Sequence, residues 1–132
     1  MNENILKLKP QGIWKEFQGI LNVPRPSKKE AKMVAYLEKW AKDHKISYIK
    51  EECGNIIMSV PATKGMEDRQ TVILQAHMDM VCEKNSDKVH DFENDPIEAV
   101  IKGEWLHANG TTLGTDDGIG VAAALAVIAD PT

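Results

Sequence analysis

The chain has 132 residues, enough for one domain with a buried core. Hydrophobic residues make up 42% and charged residues 27%, the composition of an ordinary globular protein. A net charge of −4 gives no basic footprint for nucleic acid, and no apolar run reaches the roughly 20 residues that cross a membrane.

The stretch from Gln11 to Leu21 is predicted as a short helix, with Ile13, Trp14, Phe17, Ile20 and Leu21 on one face. "NVPRPS" breaks it, because Pro24 and Pro26 push the residues before them out of helix. Ser27 and Glu30 have capping-box spacing for a second helix. Its buried stripe is Met33, Val34, Leu37, Trp40 and Ala41, its end lies near His44, and its lysines fall on a solvated face.

Strands follow. "ISYIKEE" alternates and "GNIIMSVPA" is richer in apolar residues, with a turn over residues 52–55. "TVILQAH" carries an unbroken apolar run, which suits a strand covered on both faces. Residues 83–96 are expected to form a polar loop, and "IEAVIKGEWLHA" a hairpin turning at Lys102-Gly103. "GIGVAAALAVIAD" is a helix of small apolar residues, the kind that packs against a sheet. Helices, then strands, then a helix indicate an α/β fold. A helix apolar nearly all round wants covering on more than one side, so a fragment of a larger domain is expected.

Two stretches carry chemistry. In "LQAHMDMVCEKN", His77 and Asp79 are two apart and face one side of a strand, at the end where open α/β sheets place their sites. An imidazole suits zinc, and a nearby carboxylate can ligate or orient the ring. A capped, hydrogen-bonded strand end would explain the triplet equally well. In "NGTTLGTDDGIG", four glycines and two adjacent aspartates precede a helix. Helix capping is one explanation. A phosphate cradle fits poorly, because the P-loop lysine is missing and Asp116 and Asp117 repel phosphate. Two carboxylates in a glycine-lined turn suit a divalent cation, and with His77 they begin a two-metal site.

Together these stretches, with "VPRPSKKE" upstream, resemble the aminoacyl-histidine dipeptidases (Xaa-His, carnosinase-like enzymes) of the co-catalytic zinc exopeptidase superfamily. The similarity extends over essentially the whole chain, and pairing H-x-D with G-T-T-L-G-x-D-[DN]-G makes it specific. Asn109 stands where the family pattern has aspartate. The resemblance implies that residues 1–132 are the N-terminal part of a metallopeptidase catalytic domain, with a mixed, mainly parallel sheet flanked by helices. It implies that His77 ligates one zinc, that Asp116 bridges two, and that Asp79 is the catalytic aspartate orienting the site. Co2+ or Mn2+ are alternative ions. It also implies a cis peptide between Asp116 and Asp117, with Asp117 in support. The remaining ligands, the glutamate base and a lid domain are expected beyond Thr132.

The activity so implied is metal-dependent hydrolysis of short peptides, with Xaa-His dipeptides preferred. An N-terminus without a signal-peptide core and two cysteines that make no disulfide framework point to a cytoplasmic setting, and a homodimeric parent is expected. The 132-residue piece is expected to be inactive and to self-associate. Rival readings are a metallophosphoesterase-type hydrolase and a non-catalytic module that keeps the fold. His44, His90, His107 and Cys82 are read as bland positions, the two cysteines as reduced, and Trp14, Trp40 and Trp105 as packing residues.

Overall fold

A computed structural model describes residues 2–130; Met1, Pro131 and Thr132 lie outside the described residues. The elements are α1 (Gln11–Leu21), α2 (Ala31–Asp43), β1 (Ser47–Lys50), β2 (Ile56–Ser59), β3 (Ala99–Lys102), β4 (Trp105–Ala108) and α3 (Thr115–Ala129), with a 3-10 turn at Glu3–Lys7.

The helices follow from their apolar spacing. Phe17, Ile20 and Leu21 of α1 are buried, as are Met33, Leu37, Trp40 and Ala41 of α2. Apart from Ala41, these side chains form one core with Ile5, Met80, Ile97, Ala99, Val121, Ala122 and Leu125. Between α1 and α2, the buried Trp40 donates its indole N–H to the buried Glu16 carboxylate at 2.8 Å. Near them, the Tyr36 hydroxyl lies where a side chain at Gly19 would go, 2.3 Å from an ideal Cβ. At the N-terminus, Asn2 brackets the start of β3, donating to the Ile97 carbonyl at 2.8 Å and accepting from the Ala99 N–H at 2.7 Å.

Both strand pairs are antiparallel hairpins. In the first, Ser47 faces Ser59, and a turn closes it with Glu51 N–H bonded to the Asn55 carbonyl at 2.9 Å. In the second, Ala99 faces Ala108, and Gly103 takes the positive φ of +60° that the two-residue turn needs.

Four expectations from the sequence do not hold. Among the described residues, residues 71–77 form no ladder, and Val72, Ile73 and Leu74 are 77%, 86% and 55% exposed. A strand covered on both faces needs neighbours to pair with its N–H and C=O groups, and none of the described segments forms a ladder with it. The α/β mixture stands, but the ladders present are antiparallel, and the parallel contact among the described residues is an isolated bridge between Pro26 and Met80. Helix α3 meets α1, rather than a sheet, as its main partner. Its small residues permit the approach: an ideal Cβ on Gly12 would sit 3.7 Å from Ala126 Cβ. Trp105, read as a packing residue, is 72% exposed on β4.

Candidate metal centre

The site is assembled from three segments. The first is the extended stretch carrying His77 and Asp79. Its end is anchored where Met80 N–H bonds the Arg25 carbonyl at 3.0 Å and Ser27 N–H bonds the Met80 carbonyl at 3.2 Å. The second is the "VPRPS" segment itself, which the two prolines hold extended beside Met80. The third is the turn entering α3. There Gly114 takes φ +73°, the Asp116–Asp117 bond is cis, and both aspartates have non-helical dihedrals before the regular helix begins.

These segments bring His77 between two carboxylates. Its Nδ1 lies 3.0 Å from Asp79 Oδ1, and its Nε2 lies 3.0 Å from Asp116 Oδ1. Asp79 is held in turn by the Ser27 hydroxyl, which donates to Oδ2. The series Ser27–Asp79–His77–Asp116 is therefore continuous. Its charges follow: the Asp116 hydrogen bond, with help from Asp79, raises the imidazole above its ordinary pKa of 6.5 despite opposing desolvation. The Ser27 hydroxyl, and then His77, lower the Asp79 carboxyl. Asp116 remains open, its side chain 96% exposed. Asp117 turns the other way, its Oδ1 only 2.4 Å from where a Gly120 Cβ would stand, so the absence of a side chain there makes room for it.

The donor set suits a divalent cation in part. An imidazole whose distal nitrogen is fixed by a carboxylate, next to an exposed second carboxylate, is the chemistry of a zinc ligand pair with an outer partner. Among the described residues no group of three or more His, Cys, Asp or Glu side chains could hold a metal ion. The residues brought together thus fit one portion of a site.

Two participants escaped the sequence reading. Ser27 was expected to cap a helix, but α2 begins at Ala31 without a side-chain cap, and the Ser27 hydroxyl serves Asp79 and the Met80 carbonyl instead. Arg25 lies in the break between helices with no local pattern to mark it, yet it is 1% exposed. Its Nη1 donates to the carbonyls of Met78 at 3.3 Å and Asp79 at 3.4 Å, and its Nη2 to that of Gly114 at 2.8 Å. Burial pushes its pKa down to about 10, which leaves it charged at neutral pH. A cation between two prolines that hold the chain extended was the available signal.

The other singled-out residues stay apart from this centre. His44 is exposed and stacks on Trp40 at 3.8 Å between ring centroids. His90 packs edge-on against Phe92, and His107 is exposed on β4. Cys82 is half-buried, its thiol pKa raised by burial, and Cys53 is an exposed free thiol. Asn109, the departure from the family pattern, donates to Glu98 at 2.7 Å, away from His77 and Asp116.

No protein-family model matches the chain. The chain is 51% identical over 124 residues to the cytosol non-specific dipeptidase of Escherichia coli (strain K12), a match covering 94% of this chain and 26% of that protein. Its fold matches the crystal structure of aminoacylhistidine dipeptidase from Vibrio alginolyticus with a TM-score of 0.93 at 46% identity, over 96% of this chain and 26% of that one. A tripeptidase from Staphylococcus aureus subsp. aureus Mu50 shares the fold, with a TM-score of 0.65 at 17% identity over 89% of this chain and 31% of that one. Over nearly its whole length, then, the chain is a homologue of the aminoacylhistidine and cytosol non-specific dipeptidases, and it spans 26% of the length of each.

Proposed function

We propose that this chain carries part of the two-metal centre of a peptide hydrolase acting on short peptides, with Xaa-His dipeptides preferred. The observation that carries the reading is the convergence of His77 Nε2 and Asp116 Oδ1 to 3.0 Å while Asp79 holds the ring's other nitrogen. In this reading His77 and Asp116 would hold the metal, and Asp79 fixes the imidazole orientation. Bound zinc, or Co2+ or Mn2+ in its place, would supply the Lewis acidity that activates a water and polarises a scissile carbonyl. The chain's own residues keep the donors in place: Asp79 fixes which His77 nitrogen is free, Ser27 fixes Asp79, and the glycine-lined turn presents Asp116 to solvent.

Similarity to two dipeptidases supports a peptide substrate over a phosphoester. The preference for histidine rests on the family resemblance and on the name of the Vibrio enzyme. A cytoplasmic setting agrees with the name of the Escherichia coli relative, and no helix among the described residues is long and apolar enough to cross a membrane. A homodimeric parent belongs to the same reading. The non-catalytic alternative is favoured for the 132-residue chain taken alone by the lack of a three-ligand cluster among its described residues.

Cobalt titration of the chain and of His77→Ala and Asp116→Ala variants tests the proposal. Each substitution is expected to abolish binding. Unchanged binding in both would overturn it.

A further inference from the structure

We propose that Arg25 is a positioning residue for the metal centre, its guanidinium setting the separation of His77 and Asp116 by gripping the two backbones that carry them. The inference rests on the reading of His77 and Asp116 as ligands given above. The grip is visible in the hydrogen bonds. One edge of the fork binds the carbonyls of Met78 and Asp79, immediately after His77, and the other binds the carbonyl of Gly114, two residues before Asp116. The base of the side chain is fixed as well, because the Arg25 carbonyl accepts from Met80 N–H and Pro26 bridges Met80.

The surroundings are shaped to this guanidinium. An ideal Cβ on Gly114 would stand 2.6 Å from Nη2, and one on Gly118 would stand 2.8 Å from it. Glycine at both positions leaves the room that the planar group occupies. A buried cation bonded to main-chain carbonyls through Nη1 and Nη2, with its buried Nε left without a partner, is a costly way to fill space, and an apolar side chain would do that better. What a guanidinium adds is a rigid, planar set of donors that spans two segments at a defined width, which the single ammonium of lysine does not reproduce. Because the imidazole and the Asp116 carboxylate sit one and two residues from the gripped carbonyls, a change in that width moves the donor atoms.

The test uses the full 132-residue chain with Arg25→Met and Arg25→Lys, and with Leu37→Ala as a variant destabilised in the core away from the site. Two quantities are read: Co2+ affinity by calorimetry, and metal-free NMR shifts of residues 77–79 and 114–118. Arg25→Met is expected to weaken Co2+ about tenfold or more, the usual scale for losing an outer-shell support. The two groups of resonances should shift together, with Arg25→Lys in between and Leu37→Ala unchanged in both readouts. A folded Arg25→Met chain with unaltered affinity and unaltered resonances overturns the proposal. If Arg25→Met does not fold, Arg25→Lys decides, and wild-type behaviour in both readouts overturns it. If His77→Ala and Asp116→Ala both bind Co2+ as wild type does, the ligand reading has failed. The resonances then judge Arg25 alone: joint displacement supports the grip, and its absence overturns it.

Discussion

The imidazole of His77 stands 3.0 Å from the carboxylate of Asp116 across 39 positions of chain, and 3.0 Å from that of Asp79 on its other side. A ring donating to two carboxylates is stabilised in its protonated form, which binds no metal. If His77 is a ligand as proposed, the proton and a divalent ion would compete for the same nitrogen.

The first expectation is a pH effect. In the metal-free chain His77 titrates above 6.5, because Asp116 first and Asp79 second favour the imidazolium. The folded pKa is raised, so the associated stability is fully present below the unfolded value and is lost as pH rises through the folded value. The ring is half exposed, so the stability effect is small. NMR titration of the ring in Asp116→Asn should show the pKa falling toward 6.5. An unchanged value would break the link.

Zinc should bind this chain weakly. Two converging donors fall short of the three or four protein ligands of ordinary zinc sites. Metal analysis after dialysis is expected to find far less than one zinc per chain. Stoichiometric retention would mean that further ligands are recruited, for instance from a second copy.

On its own, the 132-residue chain should leave Xaa-His dipeptides uncleaved, with or without added zinc. The reaction requires proton management as well as a bound ion, and the described residues gather one histidine and two carboxylates that are committed to one another. Product analysis by chromatography decides this, and steady turnover abolished by Asp116→Ala would contradict it.

The exposed run Val72, Ile73 and Leu74 should drive self-association. Apolar side chains beside unpaired backbone groups form a pairing edge. Light scattering is expected to show oligomers that Ile73→Lys suppresses. A monomer at high concentration would count against the idea.

Replacing Trp40 by Phe should destabilise the fold by about 2 kcal/mol or more, since a buried Glu16 would lose its indole donor. Glu16→Gln keeps an acceptor for that donor and should cost less. Chemical denaturation of the two variants gives the comparison, and equal costs would show that the hydrogen bond contributes little beyond packing.

Local chemistry was enough for the elements that satisfy themselves. Helix α1 ends where Leu21 meets the proline-rich break, the stripe of α2 is the one its spacing implies, and both hairpins turn at residues suited to turning. In each case the hydrogen bonds close within a short stretch, so periodicity and turn residues are sufficient. The motifs H-x-D and G-T-T-L-G-x-D-D-G singled out His77 and Asp116 as residues of one chemistry, and the fold brings their side chains to 3.0 Å. Residues whose partners are far along the chain were another matter. The apolar run at 72–74 reads as a strand, but a strand exists only when another segment accepts its ladder, and no described segment does. Ser27 carries the spacing of a cap, yet its hydroxyl finds Asp79, 52 positions away, a closer partner than the start of α2. Arg25 has no local pattern at all. Its three carbonyl partners lie 53, 54 and 89 positions distant, and only packing brings them within reach of one guanidinium.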